Sequence, residues 1–371
     1  MKKIAMLFPY APSYREPIYQ LMDKEFDIDW FFCGDAERQL KLFNYGLLKH
    51  CDLSMSEKNI VGPFTKYVGL NSLHLEKYDV LIIAGVYQCL SEWKLAFKYG
   101  RCKNKPKLYF WTHGMYGKES LFRRWVKTVF YNSADGLFLY GNYAKDLMTK
   151  MGYDDKKLFV IHNSLDYSKQ LLLREKGLAS SIYLSHFNND NPTIIFIGRL
   201  TKVKQLDMLV DAVFSLSKRG EYYNISFVGD GTERKFLEQK VADLKLQNQV
   251  WFYGECYDEI KNAELIYNAD LCVAPGNIGL TAMHVLMFGC PALTHDDFKW
   301  QMPEFEAIQP YDTGLFFKRN DVNDLSAKIA EWFRVNGGLR NKIREQCYKE
   351  IDSQWTPHYQ IEVLHKALKD Y

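Results

Sequence analysis

Hydrophobic residues along the chain gather in short apolar runs separated by turn residues and by stretches with helical spacing. In the first half, residues 4–8, 26–32, 79–84, 108–111, 136–140 and 158–161 are runs of strand length. Between them, Ile18, Leu21 and Met22 share one side of a helix, and residues 121, 122, 125, 126, 129 and 130 form a stripe on a helix over 118–131. A further helix covers 142–151. The second half repeats the alternation, with strands at 193–197, 224–228, 250–253 and 271–274. Helices follow each of these, marked by Leu206, Leu209, Val210 and Val213, by Phe236, Leu237 and Val241, and by the runs 259–268 and 280–288. Amphipathic helices over 322–333, 339–351 and 355–368 close the chain. This alternation predicts an α/β protein in which helices cover mostly parallel sheets.

With 371 residues the chain is too long for one ordinary core and suits two. The polar segment ending in Asn188-Asn189-Asp190-Asn191-Pro192 is strong loop chemistry and sets the boundary. The expected division is a first domain over 1–166, a linker over 167–191, a second domain over 192–354 and a terminal helix over 355–371. Hydrophobic residues at 47% and charged residues at 25% describe an ordinary globular chain. The net charge of +3 gives no reason to expect nucleic acid as a partner. Its distribution is uneven, since residues 92–150 hold twelve Lys or Arg against four Asp or Glu. The eight cysteines show no metal-ligand spacing and read as buried thiols in a reducing compartment. Residues 1–8 resemble a signal peptide only superficially, because the apolar run is short and Pro9 ends it. No run approaches the ~18 apolar residues of a membrane span, so the protein is expected to be soluble or peripheral.

Chemistry concentrates where strands end. Residues 271–274 run into Pro275, Gly276, Asn277 and Gly279 and then into a helix beginning at Leu280. A strand, a glycine loop and a helix start favour a phosphate or diphosphate, and Gly279, lacking Cβ, allows close approach to the backbone. After strand 193–197 come Gly198, Arg199 and Lys204, a fork and a mobile point charge that suit a diphosphate. Gly229 and Gly231 form a turn after the next strand, and Gly254 ends the one beyond it. In the first half, Arg15 follows the first strand and reads either as a phosphate ligand or as a surface residue opening a helix. His113, beside Gly114 at a strand end, reads as structural or as a cleft-facing group.

The order Pro275, Gly279-Leu280, His284, Gly289, Pro291, Pro303-Glu304 resembles the donor-binding signature of glycosyltransferase family 4, retaining enzymes of the GT-B fold. That resemblance implies two Rossmann-like doubly wound domains facing each other across a cleft, with the nucleotide-sugar donor on the second and the acceptor on the first. It implies that Arg199 and Lys204 bind the donor diphosphate, that His113 lies against the donor sugar, and that Gly198, Gly229, Gly231, Gly254, Asn277, Gly279 and Leu280 surround the nucleotide. Asn163 to Asp166 resembles the turn that leaves the first domain, and the terminal helix, with Trp355 and Tyr359, would cross back to it. The family's two glutamates, with seven residues between them, correspond here to Gly276 and His284. His284 would then take the ribose, or a buried carbonyl in its place, and Glu304 would support the site or cap the next segment.

No cofactor or metal is expected beyond a UDP- or GDP-linked sugar as co-substrate. The acceptor class implied is a glycan or lipid-linked saccharide, in surface polysaccharide synthesis. The basic, aromatic helix over 118–131 reads as a solvated face or as a seat for anionic lipid headgroups, which would place the protein in the cytoplasm at the inner face of the membrane. Rival readings are a sugar-nucleotide epimerase of the same fold and an inert relative that binds donor without transfer.

Overall fold

A computed structural model describes residues 2–34, 41–100 and 106–369, and the chain divides into two compact units, Met1–Asp166 with Thr356–Tyr371, and Tyr167–Trp355. In the first unit the order is β1 (Lys3–Phe8), α1 (Glu16–Glu25), β2 (Asp27–Cys33), β3 (Cys51–Val61), β4 (Phe64–Val68) and β5 (Val80–Ile83). It continues with α2 (Leu90–Tyr99), β6 (Lys107–Thr112), α3 (Leu121–Tyr131), β7 (Gly136–Leu139), α4 (Asn142–Lys150) and β8 (Leu158–Val160). These strands form one sheet ordered β4-β3-β2-β1-β5-β6-β7-β8, parallel except for the β3–β4 pair. The central strands are apolar on both faces because helices cover both, so they read in sequence as unbroken hydrophobic runs.

The second unit opens with α5 (Tyr167–Glu175) and α6 (Ile182–Phe187), followed by β9 (Thr193–Ile197), α7 (Leu206–Ser217), β10 (Asn224–Val228), α8 (Arg234–Asp243) and β11 (Val250–Gly254). Then come α9 (Glu259–Asn268), β12 (Leu271–Ala274), α10 (Thr281–Met287), β13 (Ala292–His295), β14 (Gly314–Phe317), α11 (Val322–Asn336) and α12 (Arg340–Gln354). Its sheet is wholly parallel, ordered β11-β10-β9-β12-β13-β14. Each unit is thus a doubly wound, Rossmann-like layer structure.

Two expectations need correction, and one element is not among those expected. Residues 167–191, expected as a linker, include two helices. Each buries only a narrow edge, Gln170 in α5 and Tyr183 in α6, so most of the segment stays polar. The hairpin of β3 and β4 carries no clear sequence signal, because most of β3 faces solvent and lacks the apolar alternation that marks a strand. Trp355 belongs to the second unit, where its indole N–H donates to Glu350 at 3.0 Å. The last helix, α13 (Pro357–Lys369), belongs to the first unit. There Ile361, Leu364 and Ala367 enter the core with Ile18, Met22 and Trp30. The turn Asn163 to Asp166 helps to hold it, since Ser164 Oγ donates to Gln360 at 2.6 Å and Gln360 donates to the His162 carbonyl at 2.9 Å.

Candidate functional site

In the second sheet β9 and β12 are neighbours, but the chain leaves β9 toward β10 on one side and leaves β12 toward β13 on the other. Loops diverging from adjacent strand ends leave a crevice at the carboxyl edge, where open α/β sheets take their ligands. Residues 198–205 and 275–280 are those two loops. Lys204 reaches from the first to the second, and its ammonium donates to the Asn277 carbonyl at 2.7 Å and to Asn277 Oδ1 at 3.0 Å. The backbones also meet, with the Gly276 N–H donating to the Lys204 carbonyl at 2.9 Å. A Cβ on Gly276 would lie 2.0 Å from the Val203 carbonyl oxygen and 2.8 Å from Lys204 Cα. Here the glycine is required by close approach of backbone to backbone, so no side chain fits where the family places its first glutamate.

The ammonium of Lys204 is partly shielded, and burial, together with the charge of Arg199, pushes its pKa down from 10.5 to about 8, against the pull of Glu304. Arg199 itself is exposed at the loop and has no ion-pair partner among the described residues. Glu304 is buried in the turn Pro303–Ala307, and the N-cap of that turn is Met302. Glu304 therefore does not cap that turn, and its charge raises the proton affinity of Lys204. Beneath the second loop, Gln301 accepts from the Ile278 N–H at 3.0 Å and donates to Thr294 Oγ1 at 2.8 Å, while Thr294 donates to the Gly276 carbonyl at 3.1 Å. These two residues hold the loop's shape, and no periodicity or motif distinguishes them in the sequence.

The remaining glycines fall on the same edge. Gly198 follows β9, Gly229 and Gly231 follow β10, and Gly254 ends β11. Gly229 donates its N–H to the Gly254 carbonyl at 2.7 Å, and a Cβ there would lie 2.0 Å from the Gly198 carbonyl oxygen. Packing of three adjacent turns therefore accounts for it without a ligand. Gly279 has φ of +57°, a Cβ there would make only ordinary contact with Met302 at 3.8 Å, and Leu280 precedes the first turn of α10. That helix has seven residues, shorter than the 280–288 expected, so the charge at this edge comes mainly from Lys204 and Arg199. His284, on α10, pairs with a carboxylate rather than with a buried backbone carbonyl. Its Nε2 lies 3.0 Å from Glu259 Oε1, a contact between residues 25 apart in sequence that no local pattern signals.

The first unit holds a second cluster. His113 follows β6, with its ring 4.6 Å from that of Tyr140 and 5.8 Å from that of Tyr116. Its Nδ1 is buried with no hydrogen-bond partner among the described residues. Burial, and then the charges of Arg15 and Lys127, push its pKa from 6.5 down to about 4, so at neutral pH it is an uncharged imidazole. The surface reading of Arg15 is overturned, because it is 7% exposed. Its guanidinium donates to the hydroxyls of Tyr140 and Tyr19 and lies 5.4 Å from the Trp111 ring and 5.1 Å from the Tyr140 ring. An aromatic box encloses it, and Tyr140 lies against both Arg15 and His113.

Helix α3 reverses part of its expected polarity. Lys127 is buried, donating to Glu119 at 2.8 Å and to the Gly114 carbonyl at 3.0 Å. Leu121, Phe122, Trp125 and Val129 face solvent instead, at 80%, 74%, 63% and 41% exposure, beside the exposed Arg123. Among the described residues no helix is long and apolar enough to cross a membrane, and no group of three His, Cys, Asp or Glu could hold a metal ion.

Residues 185–350, which lie within the second unit, match the family model for glycosyl transferases group 1. Over 179 residues the chain is 29% identical to glycogen synthase of Thermodesulfovibrio yellowstonii, covering 47% of this chain and 33% of that protein. Over 103 residues it is 32% identical to a GDP-mannose-dependent phosphatidylinositol dimannoside mannosyltransferase of Mycobacterium tuberculosis, covering 27% of this chain and 26% of that protein. The chain spans a third or less of the length of these curated relatives. Whole-chain structural likeness is broader. Anabaena HepE, solved in complex with UDP, superposes over 100% of both chains with a TM-score of 0.72 at 15% identity. The lipopolysaccharide outer core galactosyltransferase WaaB superposes over 99% of both chains with a TM-score of 0.69 at 14% identity. The fold is that of the GT-B glycosyltransferases, two Rossmann-like domains in one chain.

Proposed function

We propose that the chain is a retaining glycosyltransferase of family 4, moving a sugar from a UDP- or GDP-linked donor to a glycan or lipid-linked saccharide in surface polysaccharide synthesis. The observation that carries this reading is the clasp of Lys204 on Asn277 at the β9–β12 switch point. An ammonium held by neutral oxygens, with its proton affinity lowered, gains most from a diphosphate placed beside it. As the sugar–oxygen bond breaks, negative charge grows on the diphosphate, where Lys204 is fixed to meet it and Arg199 stands free to join it. The acceptor hydroxyl attacks the face that the diphosphate leaves, and its proton passes to the departing phosphate oxygen. His113, uncharged, serves as a hydrogen-bond partner for a sugar hydroxyl rather than as an acid. UDP in the Anabaena HepE complex and GDP-mannose in the name of the mycobacterial relative support the donor class.

The outer face of α3 supports a seat on an anionic membrane, where a lipid-linked acceptor would be met. Exposed Phe122 and Trp125 enter the headgroup region, and Arg123 and Lys118 meet its negative charge. On this reading the protein works at the cytoplasmic face.

One observation favours a second reading, an inert binder of nucleotide sugars. Gly276 has no room for the family's first glutamate, so a group that contacts the donor sugar in relatives has no counterpart at that position. Incubation with a panel of nucleotide sugars, with and without saccharide acceptors, separates the two. Acceptor-dependent release of nucleoside diphosphate is the expected outcome. Binding without release under any acceptor supports the inert reading, and conversion of donor without acceptor contradicts both.

A further inference from the structure

Glu259 opens α9, and neither the diphosphate clasp nor the His113 cluster uses it. Its Oε1 accepts from His284 Nε2 at 3.0 Å and from Gln170 Nε2 at 2.8 Å, and Asn262 supplies a further hydrogen bond. Burial alone would raise its pKa, but the hydrogen bond and charge of His284, with Gln170 and Asn262, hold it below the ordinary carboxylate value. The group is thus an ionised acceptor at neutral pH. A carboxylate offers about four acceptor sites, so three donors leave it able to take another. Both partners remain reachable from solvent, with the side chains of Glu259 and His284 exposed by 38% and 18%.

Position gives the pair its meaning. Helices α9 and α10 both begin at the carboxyl edge of the sheet, the edge at which Lys204 meets Asn277. Thr281, one turn before His284, is tied by its hydroxyl to the Ile197 carbonyl at the end of β9, at 3.1 Å. In a nucleoside diphosphate the ribose is joined to the diphosphate through a single ester oxygen, and its 2′ and 3′ hydroxyls are two adjacent donors. An ionised carboxylate takes such donors in charge-assisted hydrogen bonds.

The geometry points to Glu259, positioned by Gln170 and paired with His284, as the carboxylate that recognises the ribose diol of the donor nucleotide. The inference rests on the donor-site reading above and adds to it a residue from a different helix. It carries an unusual consequence for His284. Placing a glutamate there would set two carboxylates against each other, so His284→Glu weakens nucleotide binding, and Glu259→Gln in the same chain recovers it.

The test is calorimetric titration of the whole chain with UDP, GDP, their 2′,3′-dideoxy counterparts and inorganic pyrophosphate. Wild type is expected to prefer the better ribonucleotide over its dideoxy form by roughly tenfold to a hundredfold. Glu259→Gln, nearly isosteric and at an accessible position, is expected to lose that preference while its pyrophosphate affinity stays unchanged. A variant that keeps the full preference overturns the inference and leaves the diphosphate site standing, as does a His284→Glu chain that binds at least as well as wild type. If wild type binds neither nucleotides nor pyrophosphate, the donor-site reading falls and takes this inference with it.

Discussion

The ammonium of Lys204 donates to both oxygens of Asn277, at 2.7 Å to the backbone carbonyl and 3.0 Å to the side chain, joining the loops that leave two adjacent strands in opposite directions. Neither oxygen carries a formal charge. The lysine is therefore positioned by neutral oxygens, with the charge of Glu304 acting on it as well, and in the proposed function a diphosphate is what it receives.

That arrangement sets a pH dependence. The pKa of Lys204 is lowered from 10.5 to about 8, chiefly by burial, and a bound diphosphate raises it again. Binding at pH 9 should therefore take up protons, measurable by calorimetry in two buffers of different ionisation heat. Affinity should fall by up to tenfold per pH unit above about 8, because the lysine must be charged to bind. Without ligand the sign is separate. Between about 8 and 10.5 the unfolded chain holds the proton and the folded one does not, so this group makes stability rise with pH across that window. Below about 8 its full cost is present.

Gly276 should tolerate no side chain. In Gly276→Ala the new Cβ meets the Val203 carbonyl at 2.0 Å, and moving backbone to relieve it should cost about 1–3 kcal/mol, read as a lower denaturation midpoint. Gly276→Glu is expected to lose nucleotide binding rather than gain a catalytic carboxylate.

His113 should be neutral down to about pH 4. Between 6.5 and about 4 the unfolded chain takes a proton that the folded one refuses, so the stability this group contributes is complete above 6.5 and is lost as pH falls through that window. Arg15→Met removes a neighbouring positive charge and should move the His113 titration upward in an NMR pH series, whereas Arg15→Lys should leave it low. An unchanged titration in Arg15→Met contradicts the coupling.

Helix α3 offers a stability-neutral test of membrane seating. Phe122→Ser and Trp125→Ser remove exposed rings, so the melting temperature should move little, within about ±0.5 kcal/mol of stability. Co-sedimentation with anionic vesicles should fall, and in wild type it should weaken with added salt. Equal binding to neutral and anionic vesicles contradicts this seat.

The central strands of both sheets were legible because burial on two faces leaves apolar runs with little else in them. The loops that carry Lys204 and Asn277 were legible because turn and charged residues gather where strands end. What the sequence concealed depends on distant partners. His284 and Glu259 are 25 residues apart and meet only because both helices start at one sheet edge. Arg15 reads as a phosphate ligand or a surface residue until Tyr19, Trp111 and Tyr140 close around it. The stripe on α3 was visible, but a periodic pattern does not say which face turns inward, and the burial of Lys127 by Glu119 and the Gly114 carbonyl decides it. The segment 167–191 hides its helices because each buries a single residue, Gln170 or Tyr183, and is held otherwise by distant partners such as Asp352 and Trp251.

The central claim, that Lys204 receives a nucleoside diphosphate, is tested most directly by titrating UDP and GDP into wild type and Lys204→Ala at pH 7. Wild type should bind one of them, and the variant should bind it roughly tenfold to a hundredfold more weakly, the loss of a charge-assisted hydrogen bond. Equal affinity in the two proteins contradicts the account.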